Sequence, residues 1–80
     1  INESDLDQIL IYPNPTSDIL NVELDGSNLI SIYDITGRVI IQTLIQDKGM
    51  IDVNSLQKGT YLIKSIGDYP FITARRFTVN

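Results

Sequence analysis

Leu29-Ile30-Ser31-Ile32-Tyr33-Asp34-Ile35-Thr36-Gly37-Arg38-Val39-Ile40-Ile41-Gln42-Thr43-Leu44-Ile45 is the stretch that decides the fold class. Leu29–Tyr33 is a short apolar run, and Arg38–Ile45 is rich in β-branched residues (Val39, Ile40, Ile41, Thr43, Ile45). Such side chains suit a pleated, half-buried surface. Between the runs, Asp34-Ile35-Thr36-Gly37 is a tight hairpin connection. Gly37 is the residue expected in the left-handed region, as in short loops closed by a bulge.

Working outward, Asp18–Leu24 alternates, with Leu20, Val22 and Leu24 on one face and Ile19, Asn21 and Glu23 on the other. Asp25-Gly26-Ser27-Asn28 reads as a turn in which Gly26 takes a positive φ. Further upstream, Ile9-Leu10-Ile11-Tyr12 is a short strand stopped by Pro13-Asn14-Pro15, because proline has no N–H for a ladder. Downstream, Gln46–Gly49 reads as another turn and Met50–Val53 as a short strand. Asn54-Ser55-Leu56-Gln57 is expected to make one helical turn capped by Asn54. Gly59–Ile66 and Pro70–Val79 are the last two strands, joined at Gly67-Asp68. No stretch of ten or more residues carries an apolar stripe at helical spacing. About seven short strands, punctuated every eight to twelve residues or so, predict an all-β chain: an immunoglobulin-like antiparallel β-sandwich.

Eighty residues, 42% hydrophobic and 20% charged, make one globular domain, with residues 1–8 (INESDLDQ) as a flexible acidic linker and 9–80 as the folded unit. The chain starts on Ile1 and its one methionine is Met50, so it reads as part of a longer protein. No apolar run approaches the roughly 18 residues of a membrane span, and no direct membrane insertion is expected. The net charge is −4, unevenly placed. Residues 1–37 hold seven acids and no base; residues 38–80 hold six bases against three acids. Pairing between strands of the two halves would mix these charges on one surface; the alternative is a basic C-terminal strand available to an acidic partner. An acidic domain with one adjacent arginine pair offers little phosphate neutralisation, which excludes nucleic acid as a partner.

Four pieces, in order, resemble the type A C-terminal sorting domain of the type IX secretion system. Ile11-Tyr12-Pro13-Asn14-Pro15-Thr16-Ser17-Asp18 is similar to the family's opening Tyr-Pro-Asn-Pro motif. Ile32-Tyr33-Asp34-Ile35-Thr36-Gly37-Arg38-Val39 resembles its Ile-Tyr-Asp hairpin closed by glycine and a base. Ile51–Leu56 followed by Gly59-Thr60-Tyr61 resembles its leucine, then Gly-x-Tyr step. Arg75-Arg76-Phe77-Thr78-Val79 resembles its basic, apolar last strand. The chain departs from the family by ending on Asn80 where many relatives end on Lys or Arg, and by placing Ser65 where an apolar residue is more usual.

The resemblance implies a non-catalytic signal domain without a cofactor, fused behind an N-terminal cargo domain. It also implies passage through the periplasm, where shuttle proteins and the outer-membrane translocon recognise the domain. A cell-surface sorting peptidase or transpeptidase then removes it, leaving the cargo at the surface or outside the cell. By the same analogy Arg75, Arg76, Phe77 and Val79 form the recognised strand. Tyr12, Pro13, Asn14, Pro15, Asp34, Gly37, Gly59 and Tyr61 shape the fold.

The residue inventory leaves little room for catalysis. The chain has no histidine and no cysteine, which removes the commonest general base, thiol nucleophiles and thiolate zinc sites. No Gly-x-Ser-x-Gly pattern occurs. For calcium, Asp5-Leu6-Asp7 and Asp25–Asn28 offer oxygen ligands, but neither matches a twelve-residue loop closed by Glu. The rival reading is a carbohydrate-binding or spacer module of a secreted hydrolase or adhesin, with Tyr69-Pro70-Phe71 as the one candidate sugar platform.

If the last strand lies at a sheet edge, its unpaired N–H and C=O groups are a natural reading surface. Phe77 and Val79 share the parity of Arg75. The expected solution turns Phe77 and Val79 inward, keeps Arg75 at the rim with its stem buried and its head in water, and leaves Arg76 exposed.

Overall fold

A computed structural model describes residues 9–67 and 72–80. The linker 1–8 and the Tyr69-Pro70-Phe71 platform lie outside the described residues. Five strands follow in order: β1 (Ile9–Tyr12), β2 (Ile19–Tyr33), β3 (Val39–Asp52), β4 (Gly59–Gly67) and β5 (Ile72–Val79). Every pairing between them is antiparallel. The sheet runs β1-β2-β4-β5, with β3 on the other side of β2.

The expected seven short strands are therefore five, because two expected turns lie inside continuous strands. Asp25–Asn28 and Gln46–Gly49 face each other across β2 and β3. The register runs Glu23↔Lys48 and then Ser27↔Gln46, so three residues of β2 oppose Asp47 alone. Gly26 (φ 76°) and Asp47 (φ 63°) both take left-handed backbone, and the Gly26 N–H donates to Asp47 Oδ1 at 3.0 Å. Gly and Asp are residues that reach this region at low cost. A turn reverses the chain only when its two flanks pair with each other. Here both flanks keep the same neighbour, and the turn residues become a bend shared by two strands.

The bend divides the sheet. Before it, β2 pairs with β1 and the end of β3; after it, β2 pairs with β4 and the start of β3. The concave side carries the alternating residues of both parts. Ile9, Leu20, Val22, Leu24 and Ile51 come from one part, and Ile30, Ile32, Ile63, Phe77 and Val79 from the other, in one continuous core. Ser65 is buried in this face opposite Ile30.

The hairpin at Asp34–Gly37 forms as expected. The Gly37 N–H donates to Asp34 O at 3.0 Å, and Gly37 takes φ 89°. Asp34 Oδ1 accepts from the Thr36 hydroxyl (2.5 Å), the Thr36 N–H (2.9 Å) and the Arg38 N–H (3.1 Å). These donors, the Thr36 hydroxyl first, hold the Asp34 carboxyl below the usual aspartate range. The expected helical turn at 54–57 is a tight turn instead, with Leu56 N–H donating to Val53 O at 3.0 Å. Its side-chain cap is Asp52 rather than Asn54, through the Asn54 N–H at 2.9 Å. Asp52 precedes the turn and its carboxylate reaches two residues ahead, the geometry of an Asx turn.

Candidate functional site

The first and last motifs of the chain meet. β5 pairs with β4 along one edge, from Ile66↔Ile72 to Gly59↔Val79. Along its other edge runs the loop after β1. Asn14 Nδ2 donates to Arg76 O at 3.2 Å, and the Thr78 N–H donates back to Asn14 Oδ1 at 3.0 Å, bonds that span 62 and 64 residues of sequence. Pro13 and Pro15 have no N–H, so the Asn14 amide supplies the donor and acceptor that a strand's peptide group would. The loop then continues as true backbone pairing. The Thr16 N–H donates to Thr78 O at 2.9 Å, and the Asn80 N–H donates to Thr16 O at 2.8 Å. Thr16 is buried, and its hydroxyl donates to Ile19 O at 2.7 Å.

The last strand is thus the end strand of the sheet order, but it does not present the free edge expected of it. From Arg76 to Asn80 that edge is clasped. The groups bonded to the clasp point away from β4, so by alternation those of Ala74 do too. No backbone partner meets Ala74 there among the described residues.

Tyr12 anchors the clasp at its start. Its hydroxyl donates to Glu23, and its C=O accepts from Asn21 Nδ2 at 3.1 Å. The bond to the Glu23 carboxylate raises the Tyr12 phenol above its usual value, with desolvation and the adjacent negative charge acting in the same direction. At the other end of β1, Arg75 Nε donates to Ile9 O at 3.4 Å, joining the two parts of the bent sheet at the rim.

Phe77 (1% exposed) and Val79 (3%) point into the core, so their side chains are closed to anything docking on the folded domain. Tyr61 stacks on Phe77 with ring centroids 5.7 Å apart, and its hydroxyl donates to Gln57 O at 2.6 Å. Gly59, at φ 153°, opens β4 opposite Val79. The Gly59-Thr60-Tyr61 step therefore backs the last strand directly.

Arg76 lies on the convex face, exposed. Register sets Tyr33, Leu62 and Arg76 side by side on three neighbouring strands. With Lys64 and the Asp34–Gly37 turn they line an open groove of about 540 Å³. Lys64 Nζ sits 5.2 Å from the Tyr33 ring centroid, within cation–π range. Sequence reasoning placed Arg76 outward but missed Tyr33, Leu62 and Lys64 as its companions. Parity along each strand was legible; the register between strands was not.

A family model described as the secretion system C-terminal sorting domain matches residues 10–79. Beta-agarase D of Zobellia galactanivorans is similar to the chain, 31% identical over 58 residues; the match covers 72% of this chain and 12% of the agarase. The matched residues 10–79 include the clasp, the Asp34 hairpin, the Gly-x-Tyr step and the last strand. The chain belongs to the secretion system C-terminal sorting domain family, whose members are non-catalytic sorting signals of type IX secretion carried on secreted cargo.

Proposed function

We propose that the export machinery reads this domain in its folded form, through the last strand as the clasp presents it. The observation that carries this reading is the pairing of Asn14 and Thr16 with Arg76–Asn80. It makes the shape of the C-terminal strand depend on residues more than sixty positions away. Such a signal exists only once the domain has folded. Arg76 contacts the partner. Arg75 fixes the strand to β1, and Phe77 and Val79 hold it from beneath. Tyr12–Pro15, Asp34, Gly37, Gly59 and Tyr61 maintain that presentation.

In this reading the two parts of the bent sheet are the layers of an immunoglobulin-like sandwich, and the seven expected strands correspond to β1, β4, β5 and the two halves each of β2 and β3. The cargo precedes Ile1. The domain is recognised in the periplasm by shuttle proteins and the outer-membrane translocon. A surface peptidase or transpeptidase then cleaves within the acidic tether 1–8.

The test fuses a reporter ahead of Ile1, behind an inner-membrane signal peptide, in a type IX-competent bacterium. One fusion carries residues 1–80 and a second carries residues 72–80 alone. Surface delivery of the first and periplasmic retention of the second is the expected result. Equal delivery of both means that the strand is read as a linear peptide, and the folded-signal reading fails.

A further inference from the structure

From the convex face of the four-stranded part we infer that the groove between Tyr33, Leu62, Lys64 and Arg76 is the contact site, and that its occupant is an extended protein segment carrying carboxylates beside apolar side chains. The inference rests on the sorting reading and names the partner chemistry of its surface. The chain as a whole is −4. Yet the two side chains that rise from the groove's strands with charge, Lys64 and Arg76, are both cations. The carboxylate in the lining, Asp34, is already committed to Thr36 and Arg38, the latter through an ion pair at 3.6 Å. Among the described residues neither Lys64 nor Arg76 meets a carboxylate. Complementary charge steers an encounter and fixes its register.

The apolar part of the groove sets the rest of the occupant's chemistry. Leu62 is 39% exposed in the middle of a paired strand, between Tyr33 and Arg76 in register, with Lys64 two residues along its own strand. An open groove in which apolar Leu62 and Tyr33 lie beside the cations Lys64 and Arg76 admits an extended chain with alternating side chains. Its volume, about 540 Å³, fits a few residues rather than a folded face.

The export assay tests this with the double variant Lys64→Glu/Arg76→Glu beside Lys48→Glu and Lys58→Glu, which reverse charges away from the groove. Export falls at least tenfold in the double variant and less than twofold in the controls. If the double reversal fails to fold, Lys64→Gln/Arg76→Gln is compared with Lys64→Arg/Arg76→Lys; the first loses export and the second keeps it. Double variants exported within twofold of the native chain overturn the inference and leave the sorting reading standing. A native fusion that is itself retained overturns both. Leu62→p-benzoylphenylalanine, photolysed during export, supplies the chemical identity. A cross-link to a protein segment with a carboxylate within a few residues supports the inference. A cross-link to lipopolysaccharide alone, or to a segment without acids, overturns it.

Discussion

The sheet has two long margins, and they are finished differently. β3 pairs with β2 alone, and among the described residues nothing pairs with its outer margin over the fourteen residues from Val39 to Asp52. β5 is the other margin, and there the chain brings back Asn14 and Thr16 to occupy the backbone groups of residues 76–80. Open edges invite pairing with other chains, and bulges and charges blunt that tendency. β3 carries such devices, with the irregularity where three residues of β2 oppose Asp47, and charges at Asp47, Lys48 and Asp52. β5 is closed from Arg76 to Asn80. The contrast teaches that the last strand is not built to add a partner strand along its final residues. What it offers is a face, with Arg76 out and Phe77 and Val79 in.

The largest effect expected on this comparison comes from beneath the strand. Phe77→Ala removes the side chain that stacks on Tyr61 and costs about 3–5 kcal/mol. A domain of this size has a total stability of roughly 4–12 kcal/mol, so urea denaturation finds this variant near the threshold of folding. Next is the clasp. Asn14→Ala removes a donor and an acceptor and costs about 1–2 kcal/mol. The Thr78 amide then exchanges its hydrogen faster, while amides along β3 keep their rates; Asn14→Asp keeps the acceptor and protects Thr78 better than Ala does. Thr16→Val, which leaves the backbone pairing but deletes the bond to Ile19 O, costs about 1 kcal/mol.

The smallest effect lies in the hairpin that leads into β3. Its sign follows from linkage. Asp34 has a lowered pKa when folded, so the stability it contributes is present above the ordinary aspartate value of about 3.9 and fades as pH falls below it toward the folded value. Acid titration of unfolding shows this loss in the native chain and less of it in Asp34→Asn, whose amide oxygen still accepts from the turn.

Much of this fold was legible because its causes are local. The hairpin followed from Asp34 and Gly37 themselves, and the inward side of β5 followed from the period of two and the size of Phe77. The strand count failed for a non-local reason. Whether Asp25–Asn28 turns or bends the chain depends on what its flanks pair with, and that is decided by β3. The clasp was missed in the same way. Pro13-Asn14-Pro15 shows a lone amide between residues without N–H groups, which is a hint of side-chain pairing, but nothing local says that the partner is Thr78. The groove required register across β2, β4 and β5, which strand parity does not contain.

The account stands most directly on whether the clasp matters to export beyond its stability. The measurement is surface delivery of the reporter by Asn14→Ala and by a core variant of matched stability in the other part of the sheet, Ile51→Val, expected to cost about 0.5–1.5 kcal/mol. The account predicts that Ile51→Val is exported like the native chain and that Asn14→Ala is held in the periplasm. Equal export of the two, at equal stability, would contradict it.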